Sequence, residues 1–323
     1  MGKNSRLIIG DSVKIVIMGA GAIGSLFGGL LAKKGNDVSL IGRKPHVDKI
    51  NEEELIIEDV SGDLQIKIPA TRNPKTLEPP DLIILTVKAY DTEQAVKDVQ
   101  PLFKSHTYLM CLQNGLGTED VAESILGKER LIRGTTSEGA LFLEPGRIKH
   151  TGTGDTVVGY PNQEQDSFLN QIGEMFEESG FKTAVSDDIK RLVWEKVFVN
   201  VAINPFGALT GLRNGELLTI PQLKESMKAA VLEGIQVTEK LGLNINRQTP
   251  IEKAFKVAKM TATNKNSMLQ DIEKGKRTEI DFINGALVKS GEKLGVSCPI
   301  NAVLTALVKG LEKRNEILSL EVD

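Results

Sequence analysis

Residues 13–18 read VKIVIM, an apolar run rich in β-branched side chains and short enough to predict a buried strand. The run enters a glycine-rich turn, GAGAIG at 19–24, and then SLFGGLLAKKG, a helical pattern that stops at Gly35. DVSLIG at 37–42 predicts a second strand. Strand, turn, helix and strand thus fit within about thirty residues, the span of one βαβ unit. Further strand candidates are LQIKIP at 64–69, DLIILTV at 81–87, TYLMCLQ at 107–113 and RLIRGTT at 130–136, with helical patterns at 91–103 and 118–127. This alternation predicts an α/β fold whose N-terminal part is a Rossmann-type, mostly parallel sheet covered on both faces.

Between 137 and 160 the pattern changes to glycines and period-two alternation, which predicts antiparallel strands finishing that sheet. A helical stretch at 166–180 and a short strand candidate, FKTAVS, follow. Beyond 187 the strand signal nearly vanishes. Helical patterns run through 188–206, 221–241, 250–275, 279–295 and 299–315, with Pro205, Pro221, Pro250 and Pro299 near their ends. Two domains are expected: residues 1–187 with the sheet, and an all-α domain over 188–323.

The length of 323 residues suffices for two separate cores. With 40% hydrophobic and 26% charged residues, the chain belongs with globular rather than disordered proteins. A net charge of -3, with both signs interspersed, argues against a nucleic-acid footprint or a membrane patch and leaves a small molecule as the expected partner. The first dozen residues, MGKNSRLIIGDS, lack a signal-peptide core, and Arg6 stands where a myristoylation signal carries Ser or Thr. No run is long enough to span a bilayer, so a cytoplasmic location is expected. Two distant cysteines, Cys111 and Cys298, do not make a disulfide framework and read as core thiols. His46, His106 and His150 are isolated from each other and from the cysteines, so no zinc spacing exists. A His–Ser–Asp hydrolase is not excluded by counting, although no nucleophile-elbow pattern supports one.

The glycine turn carries the first chemistry. Gly19 permits a tight exit from the strand, Gly21 lets backbone approach a pyrophosphate, and Gly24 allows close helix–strand packing. With Ala20, Ala22 and Ile23 they form a loop whose following helix presents free N–H groups to phosphate. A glycine-rich turn without a ligand is the bland alternative, and the strand before and helix after it favour dinucleotide binding. After the second strand, Leu40-Ile41-Gly42-Arg43-Lys44 holds no acid to accept from a ribose 2′-hydroxyl. Two cations stand there instead, suited to the 2′-phosphate of NADP(H), unless they merely sit in a solvated loop. Lys88, in TVKAY, and Asn114, in QNGLG, follow later strands at the rim where open α/β sheets bind ligands. Each taken singly reads as a solvated lysine or a plain turn; their shared placement favours a role.

In RLVWEKVFVNVAINPFGALTG, Lys196, Asn200 and Asn204 recur every four residues and form one polar stripe on a helix whose other positions are mostly Val, Phe, Ile and Ala. A solvated face would carry Glu, Lys and Gln rather than two asparagines, so the stripe suggests an interdomain cleft. Further on, Asn264 and Ser267 lie in NKNSMLQDI, and Glu279 lies in RTEIDFINGAL, where by itself it would read as charge in a helix's first turn.

GAGAIG, NGLG, WEKVFVNVAINP and SMLQDI…RTEIDFINGAL together resemble the 2-dehydropantoate 2-reductase, or ketopantoate reductase, family over most of the chain. The resemblance implies NADPH-dependent reduction of 2-dehydropantoate to pantoate, a step toward pantothenate and coenzyme A. It implies that Lys196 is the general acid and Glu279 its acidic partner. Asn200 and Asn204 would contact substrate hydroxyl or carbonyl groups, Ser267 would bind the carboxylate, Asn114 would lie beside the nicotinamide and the substrate, and Asn264 would also bind substrate. Gly19–Gly24, Arg43, Lys88 and Asn114 would hold the cofactor. Two rivals stand beside this reading: a reductase of another 2-oxo acid, and a non-catalytic NADP-binding sensor. The apolar helices at 221–241 and 299–315 would close a homodimer or fill a core, and the sequence leaves both open.

Overall fold

The computed structural model describes residues 13–243 and 245–320. The first dozen residues, where the sequence argues against a leader or a lipid anchor, lie outside the described residues. The chain divides into two compact units, one ending at Ile189 but lacking Asn114–Gly117, the other combining Asn114–Gly117 with the chain from Lys190 onward.

In the first unit, β1 (Lys14–Met18), β2 (Asp37–Ile41), β5 (Ala70–Thr71), β6 (Leu82–Leu85), β7 (Tyr108–Cys111), β8 (Leu131–Thr136), β11 (Thr156–Gly159) and β12 (Thr183–Val185) form one sheet. Its order is β12-β11-β8-β7-β6-β1-β2-β5, and every pairing is parallel except that of β11 with β8. The strands β1, β6 and β7 are almost wholly buried and apolar, as a sheet with helices on both faces requires.

A second sheet departs from expectation. β3 (Leu55–Glu58) and β4 (Leu64–Ile66) join the hairpin β9 (Gly139–Glu144) and β10 (Arg147–Gly152) in the order β4-β3-β10-β9. The segment 137–160 therefore does not simply finish the main sheet; only β11 joins it. The reason lies in helix α1 (Ala22–Lys33), which is apolar on two sides. Gly28 faces Leu40 and Ile17 of the large sheet, while Gly29 faces Ile57, Leu55 and Ile66 of the small one. The small sheet covers the side of α1 that the large sheet leaves bare. The remaining helices of this unit are α2 (Lys44–Glu53), α3 (Thr92–Val99), α4 (Thr118–Leu126) and α5 (Ser167–Glu178).

The second unit is built around α6 (Ile189–Thr210), mostly apolar and largely buried. Pro205, expected near the helix end, sits inside it. Phe198 of α6 meets Gly234 of α7 (Pro221–Lys240), and Leu287 of α10 (Asn284–Leu294) closes on the same glycine. The expected helix over 250–275 is two helices, α8 (Gln248–Met260) and α9 (Ser267–Glu273). Between them runs TATNKN, whose two threonines and two asparagines are poor helix formers, and Asn266 caps α9 by accepting from the Leu269 N–H at 3.0 Å. The helix expected from 279 starts only at Asn284, after a 3-10 turn at Ile280–Phe282. α11 (Pro299–Leu320) completes the unit. No helix among the described residues is long and apolar enough to cross a membrane.

Candidate active site

The glycine turn is shaped by its neighbours at two positions and by open space at a third. Gly19 has φ +114°, and a Cβ there would lie 2.6 Å from the Val87 nitrogen. A Cβ on Gly24 would strike Thr86 Oγ1 and the Gly19 carbonyl, to which Thr86 Oγ1 donates at 2.8 Å. Gly21 is different: nothing lies within 4 Å of the Cβ it lacks. It is the exposed N-cap of α1, without a side-chain cap, and the N–H groups of Ala22, Ile23 and Gly24 have no carbonyl one turn earlier. Free space beside unpaired donors and a positive helix end fits a dinucleotide diphosphate.

Arg43 lies one residue beyond β2, past Gly42, its side chain 93% exposed, with the Asp91 carboxylate 3.9 Å away. So exposed and long an ion pair holds the guanidinium weakly and leaves it able to meet a phosphate. Lys88 is half-buried and opens the 3-10 turn Ala89–Asp91 beyond β6, accepting the Asp91 N–H on its carbonyl at 2.8 Å.

In the second unit Lys196, Asn200 and Asn204 all lie in α6, Lys196 and Asn200 half-buried and Asn204 buried. Glu279 is buried too, ahead of a 3-10 turn rather than within a helix, and its carbonyl accepts from the N–H groups of Phe282 and Ile283. The Phe282 carbonyl in turn accepts the Leu116 N–H at 2.8 Å, which brings the Asn114–Gly117 loop to the Glu279 turn. Ser267 is exposed at the start of α9. Its neighbour Asn266, which sequence reasoning passed over, is buried and reaches the Ile203 carbonyl at 3.4 Å, anchoring α9 beside the polar stripe. Asn264 is exposed, and its carbonyl accepts the N–H of Asn214, a second buried asparagine given no role from sequence.

Other chemistries find little support. Ser25 Oγ lies 2.9 Å from His46 Nε2, but His46 Nδ1 accepts the Gly146 N–H at 2.8 Å. The proton must then sit on Nε2, so His46 donates to Ser25 and cannot act as its base. Burial pushes the Cys111 thiol up to about 12 and the Cys298 thiol up to about 11, leaving both inert. Among the described residues no three His, Cys, Asp or Glu side chains converge on a metal position.

Residues 15–163 match the family model described as Ketopantoate reductase PanE/ApbA, and residues 188–312 match Ketopantoate reductase PanE/ApbA C terminal. A 2-dehydropantoate 2-reductase of Pyrococcus abyssi (strain GE5 / Orsay) is 41% identical over 93% of this chain and 98% of its own. Among solved structures, a PanE/ApbA family ketopantoate reductase from Ralstonia eutropha JMP134 superposes with TM-score 0.87 at 30% identity, covering 94% of this chain and 99% of that one. D-mandelate dehydrogenase, solved with NADH and anilino(oxo)acetate, superposes with TM-score 0.90 at 30% identity and the same coverage.

Proposed function

This chain belongs to the ketopantoate reductase family, and we propose that within it the protein reduces 2-dehydropantoate to pantoate with NADPH. It is an oxidoreductase acting on a CH–OH/C=O group, its substrate is a small 2-oxo acid, and its cofactor is a nicotinamide dinucleotide. The product would feed pantothenate and coenzyme A synthesis, in the cytoplasm.

The observation that carries the chemistry is the stripe on α6, a lysine and two asparagines four residues apart in a mostly apolar, largely buried helix. Lys196 delivers the proton to the carbonyl oxygen and, as an ammonium, stabilises the negative charge that builds there. Glu279, buried at its turn, orients Lys196 and the substrate. Asn114, Asn200 and Asn204 hold the hydroxyl and carbonyl groups, while Ser267 and Asn264 take the carboxylate. The Gly19–Gly24 loop and the first turn of α1 hold the diphosphate, Arg43 reads the 2′-phosphate, and Lys88 binds on the nicotinamide side. When bound, the nicotinamide supplies the hydride.

The likeness to D-mandelate dehydrogenase favours one second reading, a reductase of another 2-oxo acid. Initial rates of cofactor oxidation with 2-dehydropantoate, pyruvate, 2-oxoisovalerate, oxaloacetate and phenylglyoxylate, with NADPH and with NADH, decide between them. The highest kcat/KM for 2-dehydropantoate with NADPH supports the proposal; a higher value for another acid overturns the substrate, and preference for NADH overturns the cofactor.

A further inference from the structure

Lys88 does not hold its place by its own turn alone. Gln113, buried just beyond β7, donates from Nε2 to the Val87 carbonyl at 3.1 Å and to Thr92 Oγ1 at 2.8 Å. Thr92 Oγ1 passes its own proton to the Ala89 carbonyl at 2.7 Å. The two carbonyls secured in this way are those immediately before and after Lys88. Every proton in the relay has one direction. Gln113 Oε1 is buried without a partner, and reversing the amide would set its oxygen against the Val87 oxygen, so the orientation is unique.

The backbone of Gln113 is fixed as well. Arg133 of β8 is only 2% exposed, and its Nη1 donates to the carbonyls of Cys111 at 2.7 Å, Gln113 at 3.0 Å and Gly134 at 2.7 Å. The Glu119 carboxylate lies 3.3 Å from its Nε. A buried guanidinium and amide are costly to desolvate, and apolar side chains of similar volume would hold a core at least as well. This polar network instead runs from the middle of β8 to the ends of β7 and β6, at the rim where open α/β sheets bind their ligands.

We propose that Gln113 is a positioning residue for Lys88, transmitting the fixed end of β7 to the turn that presents the lysine. The proposal rests on Lys88 contacting the cofactor. Removing the relay frees the Val87 and Ala89 carbonyls, and Lys88 then samples positions away from its ligand.

The test is a double-mutant cycle on NADPH Kd, measured by fluorescence titration of Gln113→Met, Thr92→Val and Lys88→Ala singly and in pairs. Thr92→Val is nearly isosteric and breaks the relay without opening a cavity. Lys88→Ala and each relay variant should raise Kd by about tenfold, the scale of one lost buried hydrogen bond. In the Lys88→Ala background, Gln113→Met and Thr92→Val should add almost nothing. Equal losses in both backgrounds would overturn the positioning role while sparing that of Lys88. An unchanged Kd for Lys88→Ala would overturn the cofactor role of Lys88, and the proposal with it.

Discussion

Glu312 of α11 accepts the backbone N–H of Thr278 at 2.7 Å, tying the helix to the residue next to Glu279. Three more residues of α11 hold the same segment or the helices at its two ends, Ile272 in α9 and Asn284 in α10. Asn315 Nδ2 reaches the Ile272 carbonyl at 2.8 Å, Lys309 Nζ meets Asp281 Oδ1 at 3.0 Å, and Asn301 Oδ1 accepts from Asn284 Nδ2 at 2.8 Å. The segment is largely without helix or strand of its own, so α11 acts as its splint.

Glu312→Ala should therefore lower kcat several-fold while leaving NADPH Kd at the wild-type value. The lost bond should also cost about 1–2 kcal/mol of stability in a denaturant titration. A kcat equal to wild type would mean that Glu279 is placed without this tie.

Arg43 is exposed and its ion pair with Asp91 is long, so its removal should cost the fold almost nothing. Arg43→Ala should weaken NADPH by about tenfold or more, the scale of a charge-assisted phosphate contact, and NADH much less. Equal losses for the two cofactors in parallel titrations would show that Arg43 does not read the phosphate.

His150 and His46 pull stability in opposite directions with pH. Burial by itself would lower the His150 pKa, but its hydrogen bonds to Glu138 at 2.8 Å and Asp59 at 2.7 Å, with their charges, outweigh burial and hold it above 6.5. Its stabilisation is complete below the unfolded value and is lost as pH rises through the higher folded one. Burial lowers His46 from 6.5 to about 4, so its contribution is present above 6.5 and lost as pH falls through about 4. Comparing melting temperatures of wild type and His150→Gln isolates the first effect. The deficit of the variant should be largest near about pH 5 and shrink toward about pH 9. A deficit equal at both would contradict a charged His150.

Much of the first unit is legible in the sequence because its strands are continuous apolar runs and its glycine turn falls between strand and helix. The small sheet is legible only in part: LQIKIP and the alternation over 137–160 mark β4, β9 and β10, while β3 is four residues long, too short for periodicity to register, and nothing in the pattern sets these strands apart as a second sheet. The break between α8 and α9 leaves a readable trace in TATNKN and in the Asn266-Ser267 cap, which a helical pattern drawn across 250–275 overrides. The stripe on α6 is legible because a spacing of four survives any detail of packing. The hold of Arg133 on the end of β7 is invisible by comparison. RLIRGTT reads as an ordinary strand, and the partners of Arg133 Nη1 are backbone carbonyls, which every residue supplies.

The central claim is that Lys196 protonates the substrate, and pre-steady-state kinetics of Lys196→Ala test it most directly. With enzyme in excess over 2-dehydropantoate and NADPH saturating, the single-turnover rate should fall by about two orders of magnitude or more, while NADPH Kd stays near wild type. A single-turnover rate within a few-fold of wild type would contradict the account and send the search for the proton donor to another residue.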